Sequence, residues 1–184
     1  MPGERMVRWS TWDGSGTQTL SLRYENEEWT ADGHVDVPGV APDLQFAVRL
    51  DERWHAREFL VFRGGSEPEL WLRSDGAGRW IDQRAESATR PEFDGCIDVD
   101  LVCTPFTNTL PIRRLALPVG ESAELAVIWF DPDERVLLRD PQRYTRLAER
   151  RWRFDSLDSA FTAELEVDAD GLVLDYPELF RRLP

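Results

Sequence analysis

Lysine is absent from this 184-residue sequence: all 22 basic residues are arginine. Schiff-base chemistry on a lysine amine is therefore excluded, and a coding bias toward GC-rich codons accounts for the choice of cation. Cysteine is scarce, with only Cys96 and Cys103. On one extended strand, at about 3.3 Å per residue, they stand too far apart for a disulfide. We read them as buried free thiols, as in a reducing compartment. Histidine occurs twice, at His34 and His55, and neither lies in a metal-ligand spacing such as His-Glu-x-x-His. We expect no metal and no cofactor. No apolar run approaches the roughly 20 residues of a membrane helix, and the opening MPGERMVRWSTWDG carries no apolar signal segment. These absences predict a cytoplasmic protein without membrane insertion. Positive charge is also short: 35 acidic residues against 22 basic ones leave a net charge of −13. Nucleic-acid binding, which draws on a basic face to displace counterions, is disfavoured.

Aromatic residues are abundant, with eight Trp and nine Phe. They fill a core efficiently, and the length suits one domain over residues 1–184. Five Asp-Gly pairs punctuate the chain, at Asp13, Asp32, Asp75, Asp94 and Asp170, and Asp-Gly suits turns that need positive φ. Between them run period-two stretches. In DLQFAVRL, Leu44, Phe46, Val48 and Leu50 share one face while Gln45 and Arg49 take the other. SAELAVIWFD alternates similarly, and AFTAELEVDADGLVLDY reads as strand, turn, strand. PQRYTRLAERRWRF has a helical composition but parses better as two strands, and Pro177 opens a possible helical turn in PELFRRLP. The pattern predicts an all-β, antiparallel protein of roughly a dozen strands with little helix, arranged as a barrel or a sandwich.

The stretch GCIDVDLVCTPFTNTLPIRRLAL, Gly95 to Leu117, departs from this regularity. Alternation puts Asp98 and Asp100 on one face and Val99, Leu101 and Cys103 on the core face. Read as a hairpin turning at Thr107 and Asn108, the stretch sets Arg113 diagonal to Asp100. Two readings stand at this point. The charges form a solvated or Arg-paired outer face, or they line an interior where carboxylates and a guanidinium hold polar groups of a ligand. Among the tryptophans, Trp54 and Trp80, flanked by charges, are candidates for a cavity mouth.

These residues also carry a resemblance. DVDLVCTPFTNTLPIRRL resembles the signature of the Putative glycolipid-binding family of bacterial proteins. DPQRYTRL, with Gln142 and Tyr144, and VDADGLVLDYPELFRR are similar to two further family segments, and WTADGHVDV and DERWHAREFLV fit with looser spacing. Taken with the strand pattern, the resemblance implies a single large antiparallel, incompletely closed β barrel of roughly a dozen or more strands, similar in outline to periplasmic carriers of bacterial lipoproteins. It implies a glycolipid or another amphiphile as partner, and it brings no catalytic residue. The resulting candidate ligand-binding set is Asp98, Asp100, Arg113, Trp54, Trp80 and Tyr144. The alternative is a hydrolase acting on a carbohydrate or glycolipid, with Asp98 and Asp100 as acid and base.

Overall fold

The structure, a computed structural model, describes residues 3–38 and 41–184. It is mostly β, as the period-two runs predict. The first eight strands are β1 (Glu4–Thr11), β2 (Thr17–Glu25), β3 (Glu28–Val37), β4 (Ala41–Asp51), β5 (Ala56–Arg63), β6 (Leu70–Ser74), β7 (Trp80–Asp82) and β8 (Ala88–Thr89). The remaining seven are β9 (Asp98–Leu101), β10 (Ser122–Asp131), β11 (Val136–Ala148), β12 (Arg151–Ser156), β13 (Thr162–Val167), β14 (Val173–Tyr176) and β15 (Phe180–Arg182). Among the described residues one α-helix, α1 (Thr109–Leu115), interrupts them. All fifteen strands belong to one sheet, in the order β8-β7-β6-β5-β4-β3-β2-β1-β15-β14-β13-β12-β11-β10-β9. Two meanders are thus joined where the first strand pairs with the last, Trp9 opposite Arg182.

The ladder does not close, since β8 and β9 end the strand order. The sheet is also mixed rather than wholly antiparallel: β9 runs parallel to β10, with Asp98 opposite Val127 and Asp100 opposite Trp129. A parallel pair cannot be joined by a tight turn and needs a crossover, usually helical. That requirement overturns the expected hairpin over Gly95–Leu117. Thr104 accepts a hydrogen bond from the Phe106 N–H through its hydroxyl, at 3.2 Å, and starts a 3₁₀ turn at Pro105. The turn runs on into α1, where Pro111 sits in the first turn and so leaves no intrahelical bond unmade. Arg113 and Arg114 occupy the last turn, the end of the helix dipole that favours cations.

Two smaller expectations are corrected as well. The segment after Pro177 returns as strand β15, which pairs with β14, rather than as a helical turn. Asp32-Gly33 lies inside β3, not in a turn. Gly33 serves packing there: a Cβ on it would meet the Phe46 ring at 2.1 Å. The other four Asp-Gly pairs do turn, with Gly14, Gly76, Gly95 and Gly171 at φ of 76°, 84°, 87° and 77°.

The core falls into two clusters. The larger joins the inward side chains of β1–β6, such as Leu44, Phe46, Val48 and Leu50, to Val99, Leu101, Phe106 and Leu110 near the other end of the strand order. Outside the ladder, the Ala56 N–H donates to the Ile97 carbonyl at 3.0 Å. The smaller cluster gathers Tyr144, Trp152, Phe154, Leu165, Val173, Tyr176 and Phe180 under α1 residue Ile112. Strand β10 serves both sides. Ile128 and Phe130 enter the larger cluster, while Leu125 packs on the smaller one and Trp129 lines a cavity.

Candidate functional site

Strand β11 alternates like any other strand, but its inward row from Asp140 through Gln142 to Tyr144 is polar. Gln142 and Tyr144 are buried, so their polar atoms need internal partners. Gln142 Nε2 donates to Asp100 Oδ2 and to Asp140 Oδ2, at 2.9 Å each. The Tyr144 hydroxyl donates to Gln142 Oε1 at 3.4 Å and accepts from Asn108 Nδ2 at 2.9 Å. The Thr107 hydroxyl donates to Asp100 Oδ1 at 2.8 Å. Thr107 and Asn108 come from the 3₁₀ turn that opens the crossover, so the parallel connection is what delivers them to β9 and β11.

This network borders a cavity of about 440 Å³, within the roughly 300–1,000 Å³ usual for small-molecule sites. On the network side, Asp100, Asn108, Asp140 and Gln142 face it. The lining also holds an aromatic row in which Phe154, Phe161, Tyr176 and Phe180 follow one another at ring separations of 6.0, 6.3 and 6.3 Å, starting beside Tyr144, whose ring lies 5.4 Å from Phe154. Trp129 also lines the space. Four lining residues, Val102, Leu138, Phe161 and Leu179, leave much of their apolar surface in solvent.

The electrostatics of the network are unusual. Burial pushes the Asp100 carboxyl above the usual range; Thr107 and Gln142 pull it down, and Asp140 pushes it up again. Asp140 is raised by burial and by Asp158, against the pull of Gln142. Among the described residues no cation pairs with Asp100 or Asp140. The Tyr144 phenol is raised well above its ordinary value by burial and by Asp100, and remains a neutral donor.

The six candidates from the sequence part company here. Asp100 lines the cavity, and Tyr144 lies behind it, linked through Gln142. Asp98 is fully buried and accepts from Arg114, with Nη2 at 2.6 Å and Nε at 3.1 and 3.0 Å from its two oxygens. Burial pushes its carboxyl up, and the guanidinium opposes that push. Arg113 is not diagonal to Asp100. On a helix, successive residues point about 100° apart, so Arg113 leaves Asp98 to its neighbour. Arg113 covers the Trp54 ring at 4.7 Å and donates to the Asp170 carbonyl at 2.9 Å. Trp54 is buried against Trp29, and Trp80 is buried with its indole N–H donating to the Cys96 carbonyl at 2.8 Å. Neither ring borders the 440 Å³ cavity.

Gln142, Asp140 and Asn108 are site residues that sequence reasoning left out. Their signal was present in part: once DPQRY is read as a strand, Asp140, Gln142 and Tyr144 fall on one face. The aromatic row, drawn from β12, a loop, β14 and β15, had no comparable local signal. His34 pairs with Asp43 and His55 with Asp51. Among the described residues, no group of three His, Cys, Asp or Glu side chains is placed to hold a metal ion.

The model of the Putative glycolipid-binding family matches residues 6–182. A crystal structure of a DUF1089 family protein from Pseudomonas aeruginosa is similar over 95% of this chain and 92% of that one, at 38% identity and a TM-score of 0.74. No curated protein matches.

Proposed function

The chain belongs to the Putative glycolipid-binding family, and on that premise we propose that it binds an amphiphile, of the glycolipid type, in the cavity between β9–β12 and the C-terminal strands. The sheet acts as an incompletely closed barrel around this ligand. One observation carries the reading: the cavity lining combines a hydrogen-bonded polar group (Asp100, Gln142, Asn108) with a row of aromatic rings. An apolar wall accepts a tail, and a few fixed polar groups orient the head. Native mass spectrometry of protein purified from its own host tests this. The expected result is a bound amphiphile released on denaturation, together with a rise in melting temperature when an alkyl glycoside is added. No adduct and no rise with any alkyl glycoside would remove the reading.

Glycoside hydrolysis remains a second reading because burial raises two carboxyls at the cavity, as suits a general acid. Asp100 and Asp140 would carry it, since Asp98 is committed to Arg114. Release of free sugar from an added glycolipid, abolished by Asp140→Asn, would favour this reading over simple binding.

A further inference from the structure

We propose, resting on the amphiphile-binding reading and deepening it, that the cavity takes a donor-rich head group without negative charge, such as an uncharged glycosyl unit, and excludes anionic amphiphiles such as fatty acids and alkyl phosphates. Among the described residues, the lining holds three acidic side chains, Asp100, Asp140 and Asp158, and no arginine or histidine. In a chain with 22 arginines this is a matter of placement.

Cations lie close by in sequence on the bordering elements, yet each points elsewhere. On β11, Arg139 and Arg143 flank Asp140 and Gln142, and strand alternation sends them to the opposite face. Arg143 pairs there with Glu124, at 2.5 Å. On β12, Arg153 pairs with Asp155 at 3.2 Å. On α1, Arg114 is committed to Asp98, and Arg113 to Trp54 and Asp170.

The hydrogen-bonding capacity of the lining points the same way. In this network the oxygens of Asp100 and Asp140 act as acceptors. The Asp140–Gln142–Asp100 chain uses one oxygen of Asp140 and one bond at each oxygen of Asp100. Both acids line the cavity, which among the described residues offers no side-chain cation. Hydroxyl groups supply the missing donors. A carboxylate or phosphate head brings further acceptors and a negative charge, and like charges in contact are strongly disfavoured.

The test compares ligands of equal tail length on the intact protein: octyl glucoside, octanoate and octyl phosphate, each below its micelle concentration, followed by Trp fluorescence and calorimetry. The glucoside is expected to bind, and the two anions to bind roughly a hundredfold more weakly or worse. Asp140→Asn should narrow that ratio, and Asp100→Asn should narrow it further. Anions binding within about tenfold of the glucoside in the wild type, or a ratio unmoved by either substitution, would overturn the inference while leaving amphiphile binding intact. Binding of none of the three would overturn both.

Discussion

One amide nitrogen, Gln142 Nε2, bridges the carboxylates of Asp100 and Asp140, 2.9 Å from an oxygen of each. Gln142 is itself fully buried, and its other end accepts from Tyr144. Two acids without a cation are thereby held together by a neutral donor at the wall of a cavity. This is costly for folding, because burial and mutual repulsion both disfavour the ionised forms.

Asp100→Asn is therefore expected to keep or raise stability at pH 7. The sign follows from the shift. The folded carboxyl titrates above its unfolded value of about 3.9, because burial raises it. Its contribution to folding is fully present below the unfolded pKa and is lost as pH rises through the folded one. Urea denaturation from pH 4 to pH 8 should show wild-type stability losing ground to Asp100→Asn over that rise. A loss of about 2 kcal/mol or more for the variant at pH 7 would contradict the prediction.

Burial raises the Asp98 carboxyl as it raises that of Asp100, but here the charge is paired, with Arg114. Arg114→Met leaves a fully buried carboxylate without its guanidinium, and is expected to cost about 3–5 kcal/mol at pH 7. The deficit should shrink toward pH 4, where the orphaned acid protonates readily. Adding Asp98→Leu to Arg114→Met should recover part of the loss, and a double-mutant cycle measures the coupling.

Gly33→Ala should destabilise through steric overlap. The added Cβ would meet the Phe46 ring at 2.1 Å, inside the larger core cluster. The expected loss is about 1–3 kcal/mol or more. Combining it with Phe46→Leu should cost less than the sum of the two single changes, which chemical denaturation of the four proteins will show.

Phe161→Ser separates binding from folding. The ring is 43% exposed and lines the cavity beside Phe154. Stability should change by about 0.5 kcal/mol or less, while the melting-temperature rise from octyl glucoside should be clearly smaller than in wild type. An undiminished rise would take Phe161 out of the binding wall.

The thiols should be silent in the folded protein. Burial pushes Cys103 up to about 12 and raises Cys96 as well. Reaction with a thiol reagent at pH 8 is expected only at the rate of global unfolding, and guanidinium should unmask both groups.

How much of this was legible beforehand differs from element to element. Alternation in DLQFAVRL named the buried side of β4 correctly, because side-chain direction in a strand has a period of two whatever its neighbours are. The same rule put Val99 and Leu101 in the core and Asp98 and Asp100 opposite them. It also turned Asp140, Gln142 and Tyr144 to one side. Such properties are local, and the sequence by itself determined them. It equally determined the family, through signatures spread over nearly the whole chain.

The tertiary structure decided which partner each charge met. The sequence offered no evidence that β9 pairs parallel to β10, since strand direction depends on a ladder formed by residues more than twenty positions apart. Once that pairing is set, the Thr104-Pro105 segment must cross over as a 3₁₀ turn and helix instead of turning as a hairpin. The crossover then gives Arg114 to Asp98, and Thr107 and Asn108 to the Asp100 network. The aromatic row is likewise non-local, drawn from separate segments between Phe154 and Phe180. A cavity is the space left between packed elements, and no window of sequence contains it. Composition specifies the chemistry present; only the packing determines which acids share that space and which cations are kept out of it.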